Sequence, residues 1–238
     1  MEPFIKKFEI SDLYVDCFGN LKPSAILFLA QEIAGHHCME LGLDWDTLAQ
    51  KNLFWAVVRH KVQITRLPRR GETVTVRTWP MPTTRTAYPR AMEVLDEGGS
   101  VLLKTISLWV LMDLETRAMI LPGKSGVSVD GIELGTELST PRNIVPKVLT
   151  EESKRTVVFS DLDRNGHMNN TRYLDWVIDL LPSRFHGAHT PTEFTVCYMT
   201  ESREGQTLHL RHELVENVLQ VDATRDGERI FAVLIRYE

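Results

Sequence analysis

The chain of 238 residues is 43% hydrophobic and 25% charged, the composition of an ordinary globular protein. A net charge of −5 argues against a nucleic-acid binder, and no stretch approaches the roughly 20 apolar residues of a membrane-spanning helix. Three cysteines, Cys17, Cys38 and Cys197, are an odd number without CxxC spacing, which fits reduced thiols in the cytoplasm better than a disulfide frame.

The first ten residues, MEPFIKKFEI, show neither the apolar core of a signal peptide nor the Arg/Ser-rich character of a transit peptide, and KKFEI reads as a short strand. A helix is predicted over about 23–41, with proline at its first position, where a missing N–H costs nothing. Ile26, Leu29, Ala30, Ile33, Ala34, His37 and Leu41 recur at spacings that give one apolar face. Four strand-like runs follow: FWAVVRHKVQITRL, TVTVRTWP, TAYPRAMEVLD and VLLKTISLWVLMD, the second and last alternating with period two. ETRAMILPGKSG reads as a turn and an exit from the sheet.

The plan then repeats. KRTVVFSDL reads as a strand, a helix runs from about 171 to 181 and stops at Pro182, and TEFTVCYM, TLHLRHELV, LQVDATRD and RIFAVLIRYE are strands. Strand, helix and a meander of about four strands, twice over, indicates an internal duplication. The expected organisation is a unit at 1–123, a linker at 124–150 and a unit at 151–238. Each unit is α+β, an antiparallel sheet wrapped around a long central helix.

The stretch SDLDRNGHMNNTRYLDWV carries the candidate chemistry. In an extended segment, side chains at i, i+2 and i+4 share a face, so Asp163, Asn165 and His167 are expected to converge. Asn170 is placed as the N-cap of the following helix, whose free N–H groups and partial positive charge suit a developing oxyanion. Gly166 allows close approach of backbone or ligand. Capping alone accounts for many such Asn- and Asp-rich loops; the position between a strand and a central helix favours a functional role. Other motifs fail. GxSxG is absent, LPGKS has Ala118 where a phosphate loop needs glycine, and His36 and His37 point about 100° apart on a helix, a poor metal pair. Arg69 and Arg70 read as a solvated turn.

The loop motif, with Asp163, Asn165, His167, Asn169, Asn170, Tyr173 and Trp176, resembles the signature of the acyl-acyl-carrier-protein thioesterases, which release fatty acids from acyl carrier protein. VCYMTESREG resembles the family stretch whose glutamate joins the site, here Glu201. NLFWAVVRHKVQITRLPRRGETVTVRTWP and SLWVLMDLETR resemble first-half strands, so the resemblance runs from about residue 8 to 237. It implies a tandem hotdog fold. Two departures stand out. The family usually has cysteine directly after the glutamate, and here Ser202 stands there. Plant members carry a chloroplast transit segment, and this chain starts close to its first strand, which implies a bacterial style.

The resemblance implies hydrolysis of a fatty acyl-acyl carrier protein thioester by Asp163, Asn165, His167 and Glu201, with no metal and no cofactor, because a thioester carbonyl is already electrophilic. Asp163 would activate water or attack directly, Asn165 would orient the carbonyl, His167 would serve the leaving thiolate or hold Asp163, and Glu201 would position or deprotonate water. Strand alternation places Glu201 on the face of Cys197 and Met199, and a buried position there would tune it as a base. Asn169 and Asn170 are assigned to substrate binding at the helix mouth. Ile26, Leu29, Ile33, Trp55 and Val57 are candidates for an acyl slot in the first unit. Lys61, Arg66, Arg69, Arg70, Lys147, Lys154 and Arg155 form a candidate docking patch for the acidic carrier protein. An acyl-CoA thioesterase and a non-catalytic acyl-binding hotdog module are the alternatives; a hotdog dehydratase lacks support, since no HFPGxPxxPG-like loop is present. Chain length, saturation preference, the carrier and pairing as a homodimer stay open.

Overall fold

The computed structural model describes residues 2–134 and 137–238; Met1 and two expected linker positions, Gly135 and Thr136, lie outside the described residues. The chain forms two compact units, Met1–Pro141 and Arg142–Glu238.

The first unit contains β1 (Phe4–Glu9), α1 (Pro23–Glu40), α2 (Trp45–Ala49), β2 (Leu53–Ile64), β3 (Thr73–Pro80), β4 (Tyr88–Leu95), β5 (Val101–Asp113), β6 (Met119–Ile120) and α3 (Pro122–Ser125). Its strands pair antiparallel in the order β1-β3-β4-β5-β2, with β6 added to β5. α1 begins at Pro23, and the Ile26, Leu29, Ile33 and His37 stripe is buried, as the 3- and 4-residue spacings predict. Each such Leu or Ile contributes about 1.5–3 kcal/mol by leaving water. The short α2 was not legible in the sequence; Asp44 caps it, accepting from the Asp46 and Thr47 N–H groups. In β2 the register shifts between Val57 and Arg59, so Leu53, Trp55 and Val57 share a face with His60, Val62 and Ile64.

The second unit contains β7 (Glu151–Thr156), α4 (Asn170–Ile178), α5 (Ser183–His186), β8 (Pro191–Tyr198), β9 (Thr207–Val215), β10 (Val218–Arg225) and β11 (Glu228–Tyr237). Its strand order is β7-β9-β10-β11-β8. Matching β7 to β1, β8 to β2 and so on gives the same order as in the first unit, so the duplication extends to topology. α4, at 9 residues against 18 for α1, is not a long helix. Leu180 and Leu181 continue with N–H groups bonded three residues back, because the position before Pro182 disfavours α geometry.

The division falls after Pro141, inside the stretch expected to be a linker, and parts of that stretch pack against the units. Val127 belongs to a buried cluster with Leu48, Leu53, Tyr88 and Leu111, and the Ile132 N–H donates to the Pro80 carbonyl. In the second unit the carbonyls of Ile144 and Val145 accept from Arg229 and Gln220.

Candidate active site

The loop between β7 and α4 is a folded hairpin, not an extended segment. Leu162 and Met168 form an antiparallel bridge, the Asp163 N–H donates to the His167 carbonyl at 2.8 Å, and the Gly166 N–H donates to the Asp163 carbonyl at 3.1 Å. Gly166 takes a φ of +73°, the left-handed conformation that glycine adopts without strain. The Asp163 carboxylate holds the hairpin shut. Its Oδ1 accepts from the backbone N–H groups of Asn165, at 2.8 Å, and His167, at 3.2 Å, and its Oδ2 accepts from Asn165 Nδ2 at 3.4 Å. Side-chain-to-backbone bonding of this kind competes with extended geometry and here wins. The expected convergence of Asp163, Asn165 and His167 on one strand face is therefore corrected. Asn165 is exposed and serves Asp163, and the His167 ring points to a different carboxylate.

That carboxylate is Glu201. The Met168 N–H donates to the Ser202 carbonyl at 2.8 Å, tying the hairpin to the segment that leaves β8. The tie sets His167 Nε2 at 3.3 Å from Glu201 Oε2. The His167 side chain is 12% exposed and that of Glu201 44%. β8 ends at Tyr198, so Glu201 lies beyond the strand and its alternation, and the burial expected for it is absent. The Glu201 carbonyl accepts from Arg225, which also bonds Gln206. Arg225, Gln206 and the Ser202 backbone thus position the site, and no local signal in the sequence marks them.

The cap of α4 is Asn169 rather than Asn170. Its Oδ1 accepts from the Thr171 N–H at 3.0 Å and the Thr171 hydroxyl at 2.9 Å. Asn170 is the first helical residue, and its carbonyl accepts from the Tyr198 hydroxyl at 3.0 Å. Burial pushes the Tyr198 and Tyr173 phenols up, so both stay protonated donors. Asp161 is buried beneath the hairpin and accepts from the Val158 N–H, with its own carbonyl accepting from the Asn169 N–H.

In the first unit, Ile26, Leu29, Ile33 and Val57 are all buried. Trp55 is half-buried, donates from Nε1 to the Leu43 carbonyl at 3.0 Å, and meets Tyr88 edge to face at 4.9 Å. His36 and His37 diverge as expected: His36 Nδ1 lies 3.3 Å from Lys6 Nζ, while His37 is buried and stacks on Phe4. Three of the seven candidate docking cations pair with carboxylates within the molecule. Arg66 grips Glu72 through two hydrogen bonds, Arg70 pairs with Asp12, and Arg155 pairs with Asp179.

Fold and site together define a duplicated helix-in-sheet protein with a histidine–carboxylate site on the loop before its second central helix. Residues 2–121 match the acyl-ACP thioesterase N-terminal domain and residues 147–236 the acyl-ACP thioesterase C-terminal domain. The chain belongs to the acyl-ACP thioesterase family, and its two units are hotdog folds. An acyl-ACP thioesterase structure from Bacteroides thetaiotaomicron superposes with a TM-score of 0.90 at 26% identity, covering 98% of this chain and 97% of that one. The 12:0-ACP thioesterase from Umbellularia californica superposes with a TM-score of 0.85 at 23% identity over 99% of this chain and 97% of that one, which shows shared fold. The chloroplastic acyl-[acyl-carrier-protein] hydrolase FATB3 of Cuphea viscosissima is 24% identical over 260 residues, covering 100% of this chain and 61% of the relative. The chain thus spans about three-fifths of the length of that curated relative.

Proposed function

We propose that this chain hydrolyses the thioester of a fatty acyl-acyl carrier protein, releasing the free acid and the carrier's thiol. The observation that carries the reading is the contact between His167 Nε2 and Glu201 Oε2 at 3.3 Å, in the unit matched to the family's C-terminal domain. A carboxylate beside one ring nitrogen orients the imidazole, the arrangement a general acid–base needs.

Asp163 provides the second carboxylate. Hydrogen bonds from two backbone N–H groups fix its direction, which suits either activation of water or direct attack on the thioester carbonyl. On direct attack the carbon–sulfur bond breaks, His167 gives a proton to the departing sulfur, and water splits the resulting anhydride. Asn165 holds Asp163 through Nδ2 and, being exposed, is open to the substrate carbonyl. Asn169 and Asn170 form the mouth of α4 and bind substrate there. The acyl chain is assigned to the first unit, along Ile26, Leu29, Ile33, Trp55 and Val57. The compartment assigned is the cytoplasm, because an odd number of cysteines without CxxC spacing fits reduced thiols.

The test is an assay of acyl-acyl carrier protein and acyl-CoA thioesters of several chain lengths, with thiol and free acid both quantified. Release of both from the carrier-protein thioesters is expected. Preferential turnover of acyl-CoA would reassign the carrier, and binding without release would make the protein an acyl-binding module.

A further inference from the structure

The face of the first sheet that α1 covers is not uniformly apolar. Arg90 on β4 lies opposite Ser107 on β5, and Ser107 lies opposite His60 on β2, so the three side chains form one row on one face. All three are buried: Arg90 is 8% exposed, Ser107 3% and His60 0%. Two residues along β5 on the same face stands Thr105, 1% exposed, whose Oγ1 has no hydrogen-bond partner. From the helix, His37 Nδ1 sits 3.0 Å from Arg90 Nη1.

The partners of Arg90 are unusual for a buried cation. Its Nη1 meets His37 and, at 3.4 Å, the Thr78 hydroxyl; among the described residues its Nη2 reaches the Cys38 sulfur at 3.9 Å. Burial, and then the guanidinium itself, lower the His37 pKa to about 4, so the imidazole is neutral and accepts. Burial pushes the Cys38 thiol up, so it too is neutral. Among the described residues no carboxylate pairs with Arg90, whereas Arg77 on β3 is paired with the buried Glu93. A guanidinium carries five N–H donors, and a buried cation without a countercharge is costly to keep where methionine or leucine would pack. His37 continues the Ile26, Leu29 and Ile33 stripe, the helix side of the assigned acyl slot.

We propose that Arg90, with Thr105 and His37, forms a binding subsite for an oxygen substituent on the acyl chain, so that the preferred substrate is a hydroxyacyl or oxoacyl thioester rather than a plain hydrocarbon one. The inference rests on the thioesterase reading and adds the substrate class to it. A hydroxyl or keto oxygen accepts from the guanidinium, and a hydroxyl also reaches a partner in Thr105 Oγ1; a methylene chain offers neither. Buried polar groups left unmatched by an analogue that lacks the oxygen are what make such sites discriminating.

The experiment compares kcat/KM for acyl carrier protein thioesters of equal length, saturated, 3-hydroxy, 3-oxo and mid-chain hydroxy, with the wild-type protein and the Arg90→Met and Thr105→Val variants. At least one oxygenated chain is expected to be favoured about tenfold or more over its saturated counterpart. Arg90→Met is expected to bring that ratio close to one, and Thr105→Val to lower it in part. Saturated chains turned over as well as every oxygenated one by the wild-type protein, or a ratio unmoved in both variants, would overturn the proposal. If Arg90→Met does not fold, the wild-type panel and Thr105→Val decide. If no thioester releases thiol, the thioesterase reading has failed instead, and calorimetric binding of 3-hydroxy against plain fatty acids decides the subsite on its own.

Discussion

His167 Nε2 and Glu201 Oε2 stand 3.3 Å apart, although the two residues come from different segments of the second unit. They are held together by the backbone bond from Met168 to Ser202. If the pair works as one acid–base unit, removing either member removes most of the benefit. His167→Ala and Glu201→Ala are each expected to lower kcat by about 10² or more, and the double variant to fall little further. Steady-state kinetics on the three proteins checks this; fully additive losses would show that the two act separately.

Asp163 closes the hairpin, and the proposed mechanism gives its carboxylate a second, separable role. The first role needs only an acceptor oxygen, whereas the proposed chemistry needs the charged carboxylate. Asp163→Asn keeps an oxygen for the two backbone N–H groups, so its stability is expected to stay near that of the wild type. Asp163→Ala leaves those N–H groups without their acceptor and is expected to lose about 1–2 kcal/mol in denaturant unfolding. Equal stabilities for the two variants would mean the carboxylate does not hold the loop.

Stability is expected to fall in acid because of His60. Burial pushes its pKa from 6.5 down to about 3 in the folded protein. As pH drops through 6.5 the unfolded chain takes up a proton that the folded one refuses, so stability present above that pH is lost between about 6.5 and 3. The slope from this group is about 1.4 kcal/mol per pH unit within the window. His37, lowered to about 4, acts with the same sign. Unfolding midpoints at several pH values should show a shallower acid slope for His60→Gln than for wild type; parallel slopes would contradict the assignment.

Trp55 is anchored through its Nε1 bond to Leu43 and its edge contact with Tyr88, which makes it a fixed wall rather than a mobile side chain. Trp55→Ala is expected to shift the released fatty acids towards longer chains, measured by gas chromatography of the free acids. An unchanged profile would remove Trp55 from the acyl slot.

The α1 stripe was legible because helical spacing and burial follow from the same geometry, and the alternation of Val74 and Val76 marked β3 in the same way. The polar content of the 160–170 loop was also legible, but not its shape. Spacing alone suggested an extended segment, whereas Asp163 bonding to backbone N–H groups and Gly166 at positive φ fold it into a hairpin. The N-cap fell one residue early, at Asn169, since two adjacent asparagines offer the same chemistry. Glu201 came only from family resemblance; the tertiary bond that brings it to His167 leaves no local trace. Arg90 was invisible, because YPRAMEV reads as an ordinary strand and nothing in the letters says that its one cation faces inward.

The most direct measurement is the simultaneous release of thiol and free fatty acid from acyl carrier protein thioesters by wild-type protein and by Asp163→Asn protein shown to be folded. Stoichiometric release of both by the wild type and a loss of about 10² or more in the variant is the predicted result. Undiminished turnover by the folded variant would contradict the assignment of the chemistry to this loop.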